Sequence, residues 1–245
     1  GARRWVNLGL FQLQPSEMMK IALVLALARF YHGMPMEEVG RLRWLAIPLV
    51  LTLVPVALVM RQPDLGTAIL LLATAMAILI LAGVRLWKFA LLLGLMVAAI
   101  PFGWRFMLHG YQKDRVLTYL NPERDPLGAG YQIMQSKIAL GSGGLFGKGF
   151  MQGTQSQLAF LPEQQTDFIF TMLAEEFGLI GCLGLLGLYV LVIVYGYAIA
   201  LRSRSQFGRL LAMGMITTFF LNVFINMAMV MGLIPVVGIP LPLVS

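Results

Sequence analysis

The amino-acid sequence predicts an all-α, polytopic membrane protein: about six transmembrane helices and one large extracytoplasmic loop. Three observations lead there. Of the 245 residues, 59% are hydrophobic. Charged residues make up 12%, about half the ~25% usual in soluble domains. The mean hydropathy is +0.82. A soluble domain of this size could not keep so much apolar surface from water. Lipid, in turn, leaves only helices or closed barrels. No ten-residue alternating pattern repeats, so a barrel is not indicated.

A span needs about 20 mostly apolar residues. Six runs qualify: 17–32, 44–60, 66–84, 87–107, 169–201 and 209–233. The first two are short. The fifth starts with Glu175 and Glu176 inside it, which places its membrane part at 177–200. Pro235, Pro240 and Pro242 stop a regular helix after 234 and suggest an extended or re-entrant outer segment. The chain opens at Gly1 and stops after a proline-rich turn, so it reads as a fragment of a larger membrane protein.

Lys and Arg total 18 against 11 Asp and Glu. In a membrane protein this excess is expected of cytoplasmic loops. Arg41, Arg43, Arg85, Lys88, Arg202, Arg204 and Arg209 fall in loops on one side, against Arg61 alone in the opposite short loop. The arginine-rich side is therefore cytoplasmic, and the long loop 108–168 is outside. Basic residues without interleaved aromatics argue against nucleic acid and for anionic lipid headgroups. Cys182 is the sole cysteine, so an internal disulfide is excluded. His32 and His109 stand apart from other ligand types, so a histidine metal site is unsupported.

Loop 108–168 holds most of the polar chemistry. Residues 131–140 predict a short amphipathic helix, with Ile133, Met134, Ile138 and Ala139 toward apolar material and Gln135 and Lys137 wet. The glycine run Gly141, Gly143, Gly144, Gly147 and Gly149 fails the P-loop pattern. It reads as a flexible turn or as backbone amides cradling a pyrophosphate. Then comes Leu161-Pro162-Glu163-Gln164-Gln165-Thr166-Asp167-Phe168. Thr166 or Asp167 reads as an N-cap. Asp167 also reads as a general base at the membrane's outer edge, where low-dielectric surroundings make a carboxylate more basic. Glu163 and Thr166 beside it are candidate substrate contacts. On a regular helix Glu175 would lie about 12 Å from Asp167. That exceeds the ~6.5–9.5 Å of inverting carboxylate pairs. A single base is favoured, which requires a leaving group that departs unprotonated, as a pyrophosphate does.

Other polar groups sit at span ends. Glu17 and Lys20 share a helix face, as an ion pair or as a cavity wall. Asp64 is an N-cap or a site carboxylate, and Arg61 could meet an anionic substrate. Arg115, Lys137 and Lys148 are further candidate pyrophosphate contacts. Gly178, Gly181, Gly184 and Gly187 suggest close helix packing. Asn222 and Asn226 are expected to bond across helices, and the methionines to pack.

Several stretches carry a resemblance: GARRWVNLG at 1–9, QPSEMMK at 14–20, QPDLGTA at 62–68, NPERDPLGAGYQIMQSKIALGSGGLFGKG at 121–149, GTQSQLAFLPEQQTDFIF at 153–170, AEEFG at 174–178 and GLIPVVGIPLPLVS at 232–245. With them the chain resembles the SEDS family (shape, elongation, division and sporulation), closest to its elongation members. The resemblance implies a ten-helix fold in the bacterial cytoplasmic (inner) membrane. It implies a peptidoglycan glycosyltransferase that polymerises lipid II outside the membrane. It implies a class B penicillin-binding protein as crosslinking partner, with other elongation-complex membrane proteins and membrane lipid. The family's essential Asp falls on Asp167, and its PSE-to-Lys motif falls on Glu17 and Lys20, which would line the cavity near it. The QPDLG motif would bring Arg61 and Asp64 close by. Asp167 would deprotonate the GlcNAc 4-hydroxyl, which attacks MurNAc with inversion. Undecaprenyl pyrophosphate would leave, aided by Arg or Lys and, as the one candidate cofactor, a divalent cation (Mg or Mn). Two rivals stand beside this reading: a flippase that translocates lipid II, and a scaffold that only recruits synthases. The nearly charge-free centres of the spans argue against a transport path.

Overall fold

A computed structural model of the chain describes residues 6–7, 12–62, 64–91, 94, 97–98, 105, 113, 117–118, 129–153 and 166–245. It is helical, as expected. A two-residue antiparallel ladder, β1 (Val6–Asn7) with β2 (Gln12–Leu13), is the one strand pairing among the described residues. The helices are α1 (Pro15–Tyr31), α2 (Met36–Val39), α3 (Leu42–Arg61), α4 (Leu65–Leu81), α5 (Ala129–Ser142), α6 (Ile169–Arg202) and α7 (Gln206–Val230). Among the described residues, three stretches are long and apolar enough to cross a bilayer: Arg43–Arg61, Ile169–Arg202 and Gln206–Val230. Helices α1 and α4, at 17 residues each, span about 26 Å and fall just short of the usual length. Five of the six expected spans thus coincide with helices. The remaining one, 87–107, lies largely outside the described residues, as does about half of loop 108–168.

By its internal contacts the chain divides into two compact units. The first comprises Gly1–Leu95 and Ile193–Leu221, the second Met96–Val192 and Asn222–Ser245.

In the first unit α1, α3 and α4 share an apolar core that includes Val24, Leu27, Leu71 and Ile78, each wholly buried. Pro15 starts α1, where its missing N–H costs nothing. Pro48 and Pro55 lie inside α3, and the Thr52 hydroxyl donates to the Pro48 carbonyl at 2.8 Å. Gly214 lets the first part of α7 approach closely: a Cβ there would lie 2.6 Å from Val24 Cγ1. Thr218 Oγ1 donates to Thr74 Oγ1 at 3.3 Å within this interior.

In the second unit α5 buries Ile133, Ser136 and Ala139, a three-residue spacing along one face. The expected apolar face differs: Met134 and Ile138 are exposed, and the buried position between Ile133 and Ala139 is the polar Ser136. Two bonds make that tolerable. Ser136 Oγ donates to the Val230 carbonyl at 2.8 Å and pairs with Thr171 Oγ1 at 3.0 Å.

Helix α6 is interrupted at Gly178, whose φ of 64° and ψ of −161° are open essentially to glycine alone. The break falls where the sequence places the start of the membrane part. It leaves helical carbonyls and amides without their usual partners, and the glycine-rich loop after α5 supplies them. Lys148 N donates to Glu175 O and Gly149 N to Glu176 O, both at 3.0 Å. In return Leu179 N donates to Gly144 O at 2.9 Å and Ile180 N to Leu145 O at 3.2 Å. The run is a backbone-bonded plug rather than a flexible turn. Of the recurring glycines, Gly184 and Gly187 have no neighbour within 4 Å of an added Cβ among the described residues.

After α7 the chain runs without regular structure through its prolines, as expected. Ile239 and Leu241 are buried, and Tyr189 donates from its hydroxyl to the Pro242 carbonyl at 2.8 Å.

Candidate functional site

Asp167 lies in the turn Thr166–Phe168, immediately before α6. The first helical carbonyl is that of Phe168, which accepts from Thr171 N at 3.0 Å and Met172 N at 3.3 Å. The N-cap position offered by the sequence to Thr166 or Asp167 is therefore filled by Phe168, whose wholly buried ring anchors the turn. Asp167 itself is half-buried. Its main-chain carbonyl accepts from Asn226 Nδ2 at 2.8 Å, and the Thr166 carbonyl accepts from Ser245 Oγ at 2.7 Å. Gly238 stands beside the carboxylate: a Cβ there would lie 3.1 Å from Asp167 Oδ2. The glycine, at φ +71°, thus keeps that approach open.

Eight residues on, Glu175 is wholly buried and meets Lys148 Nζ at 2.7 Å. Lys148 is accordingly held in an ion pair with the protein, a different role from the pyrophosphate contact considered for it. The amides of Gly147, Lys148 and Gly149 are likewise bonded to carbonyls of the chain, so they form no anion cradle. Lys137 is exposed on α5, and its side-chain end occupies the space beside Gly232. Thr166 is exposed. Arg115 and Glu163 lie outside the described residues.

In the first unit, Lys20 Nζ contacts Glu17 Oε2 at 2.7 Å, the lysine buried and the glutamate half-exposed. This is the i,i+3 pair expected from the spacing. Asp64 is buried and caps α4, accepting from Thr67 N at 3.1 Å and from Thr67 Oγ1 at 3.0 Å. Its capping role is thus the one the structure displays. Arg61 ends α3 and is exposed.

Sequence reasoning missed the groups that hold the Asp167 turn. Asn226 was expected to bond between helices; it instead reaches the turn and the tail, donating also to the Ile239 carbonyl at 2.7 Å. Its signal was visible as a polar residue in an apolar span. Gly238 and Ser245 gave no comparable signal. Chemically, the arrangement offers one carboxylate on a rigid turn beside an unobstructed glycine. A divalent cation finds no ready cage here: among the described residues no group of three or more His, Cys, Asp or Glu side chains could hold a metal ion.

Comparisons with known proteins agree with this architecture. Residues 1–245 match the FtsW/RodA/SpoVE family, described as cell cycle protein. The chain is 51% identical over 245 residues to the peptidoglycan glycosyltransferase MrdB of Escherichia coli K12, covering all of this chain and 66% of that protein. It is 40% identical to the stage V sporulation protein E of Bacillus subtilis, again covering 66% of it. The chain thus spans just under two thirds of the length of these relatives. Among solved structures, it superposes with a TM-score of 0.79 and 38% identity on a chain from a peptidoglycan synthase complex that coordinates polymerization and crosslinking; all of this chain and 67% of that one are covered. With the Thermus thermophilus rod shape determining protein RodA the TM-score is 0.66 at 32% identity, covering all of this chain and 62% of that one. A match along its whole length makes this chain an integral membrane protein of the FtsW/RodA/SpoVE family.

Proposed function

We propose that this chain is the catalytic part of a peptidoglycan glycosyltransferase that polymerises lipid II at the outer face of the bacterial cytoplasmic membrane during cell elongation. Asp167 is its general base. The reading is supported by a half-buried carboxylate on a braced turn at the entry to a membrane-crossing helix, with a bare glycine facing it. It is supported too by the glycosyltransferase name of a relative 51% identical to this chain.

The step follows from the chemistry. The Asp167 carboxylate takes the proton of the acceptor's GlcNAc 4-hydroxyl. That oxygen bonds to the anomeric carbon of the donor MurNAc from the face opposite the leaving group. The bond from that carbon to the pyrophosphate oxygen breaks, and undecaprenyl pyrophosphate departs with the electron pair. A stable anion needs no general acid, so one carboxylate suffices. Lys137, exposed in the same unit, is offered as a cation for the departing charge. The partner is a class B penicillin-binding protein that crosslinks the strands, in keeping with the pairing of polymerization and crosslinking in the similar complex.

Full-length protein, purified and given labelled lipid II in vesicles, separates the readings. Glycan chains support a polymerase. Translocation without chains means a flippase, and neither means a scaffold; either result rejects the proposal.

A further inference from the structure

We propose that Asn226 is the positioning residue of Asp167: its side-chain amide ties the turn that carries the carboxylate to the main chain that walls it. The inference rests on the reading of Asp167 as the base.

Asn226 lies on α7 and is wholly buried. A carboxamide nitrogen has two protons, and both are used here. One goes to the Asp167 carbonyl at 2.8 Å, the other to the Ile239 carbonyl at 2.7 Å. These acceptors belong to segments 59 residues before and 13 residues after it. Ile239 directly follows Gly238, whose Cα faces Asp167 Oδ2. One side chain therefore sets both the base's backbone and the wall against which its carboxylate rests.

The turn is braced on either side of that bond. The Thr166 carbonyl accepts from Ser245 Oγ, which in turn accepts from Leu241 N at 2.8 Å. The Phe168 carbonyl begins the helix. Three consecutive carbonyls are thus held, those of Thr166 and Asp167 by side chains from elsewhere in the chain and that of Phe168 by the helix itself. A base must be held within a fraction of an ångström of its productive position. Asn226 is enclosed, with both donors engaged, so it cannot itself touch a sugar. Its loss should change the rate of the chemical step and leave substrate binding in place.

The decisive experiment measures kcat and KM for lipid II polymerisation by the full-length protein, reconstituted with its crosslinking synthase. Thermal melting of each variant is recorded alongside. Asn226→Ala is expected to lower kcat tenfold or more while KM changes less than threefold. Asn226→Asp, nearly the same shape but without the two donors, is expected to match it. Asn226→Gln, which keeps the donors one methylene farther out, is expected to recover part of the loss. Gly238→Ala gives a second approach that leaves α7 intact and crowds the carboxylate; the same fall in kcat is expected, and it decides the matter if the Asn226 variants do not fold. Unchanged kcat in Asn226→Ala, or in a folded Gly238→Ala where the Asn226 variants fail, overturns the proposal. So does a rate loss that only mirrors lost folded protein. Asp167→Asn runs as the reference. If it is inactive while Asn226→Ala and Gly238→Ala behave as wild type, only the positioning role falls. If Asp167→Asn polymerises normally, the base assignment falls, and this proposal with it.

Discussion

Lys148 and Glu175 form an ion pair of 2.7 Å in which the glutamate side chain is wholly buried and the lysine side chain is 30% exposed. The pair closes over the break in α6, beside the backbone bonds that the glycine loop makes to the same helix. Removing one member of a fully buried pair costs about 3–5 kcal/mol, because the other charge is left in a poor solvent. The partial exposure of the lysine lessens this, so Lys148→Ala should destabilise by about 2–3 kcal/mol. Lys148→Met combined with Glu175→Gln should recover most of it. Thermal melting in detergent, followed by size exclusion, measures both.

The glycines of α6 should divide sharply. At Gly178 a Cβ would lie 2.3 Å from Gly147 N, on a backbone conformation that other residues avoid. Neither backbone can give way without breaking the reciprocal bonds. Gly178→Ala should lower the melting temperature markedly or abolish folding. Gly184→Ala and Gly187→Ala meet open space within a regular helix and should be neutral or mildly stabilising, as alanine is the better helix former by about 1 kcal/mol. Equal losses at all three positions would contradict the plug.

Asp64 tests capping against chemistry. Its carboxylate accepts from both the amide and the hydroxyl of Thr67. Asp64→Ala should cost about 1 kcal/mol of stability. Asp64→Asn keeps a capping oxygen and should lie near wild type in both melting temperature and polymerisation rate. A rate collapse in a fully folded Asp64→Asn protein would mean that the carboxylate does chemistry beyond the cap.

The class of the fold was legible in hydropathy alone, because a bilayer admits so few solutions. The Glu17–Lys20 pair and the N-cap reading of Asp64 were legible too, since groups three residues apart need only a helix to meet. What escaped is what tertiary structure joins. Ser136 carries no signal of its own in the sequence, since its partners Thr171 and Val230 meet it only in the fold. The spacing of Gly178 through Gly187 suggests one packing stripe, whereas one of those residues breaks the helix and two face open space. Lys148 looks like a cation awaiting phosphate, and only the folded loop shows it beside Glu175. Asp167 stood out by its place before an apolar run. The groups that hold its turn come from far along the chain: Asn226 lies 59 residues beyond Asp167, and Ser245 lies 79 beyond Thr166.

The polymerisation rate of the full-length Asp167→Asn protein addresses the general base most directly. Asparagine preserves size and the backbone bond to Asn226 but cannot take a proton. General base catalysis contributes about 10²–10⁴-fold, so the rate should fall at least a hundredfold while melting temperature and lipid II binding stay close to wild type. Glycan synthesis at the wild-type rate by that folded variant would contradict the assignment.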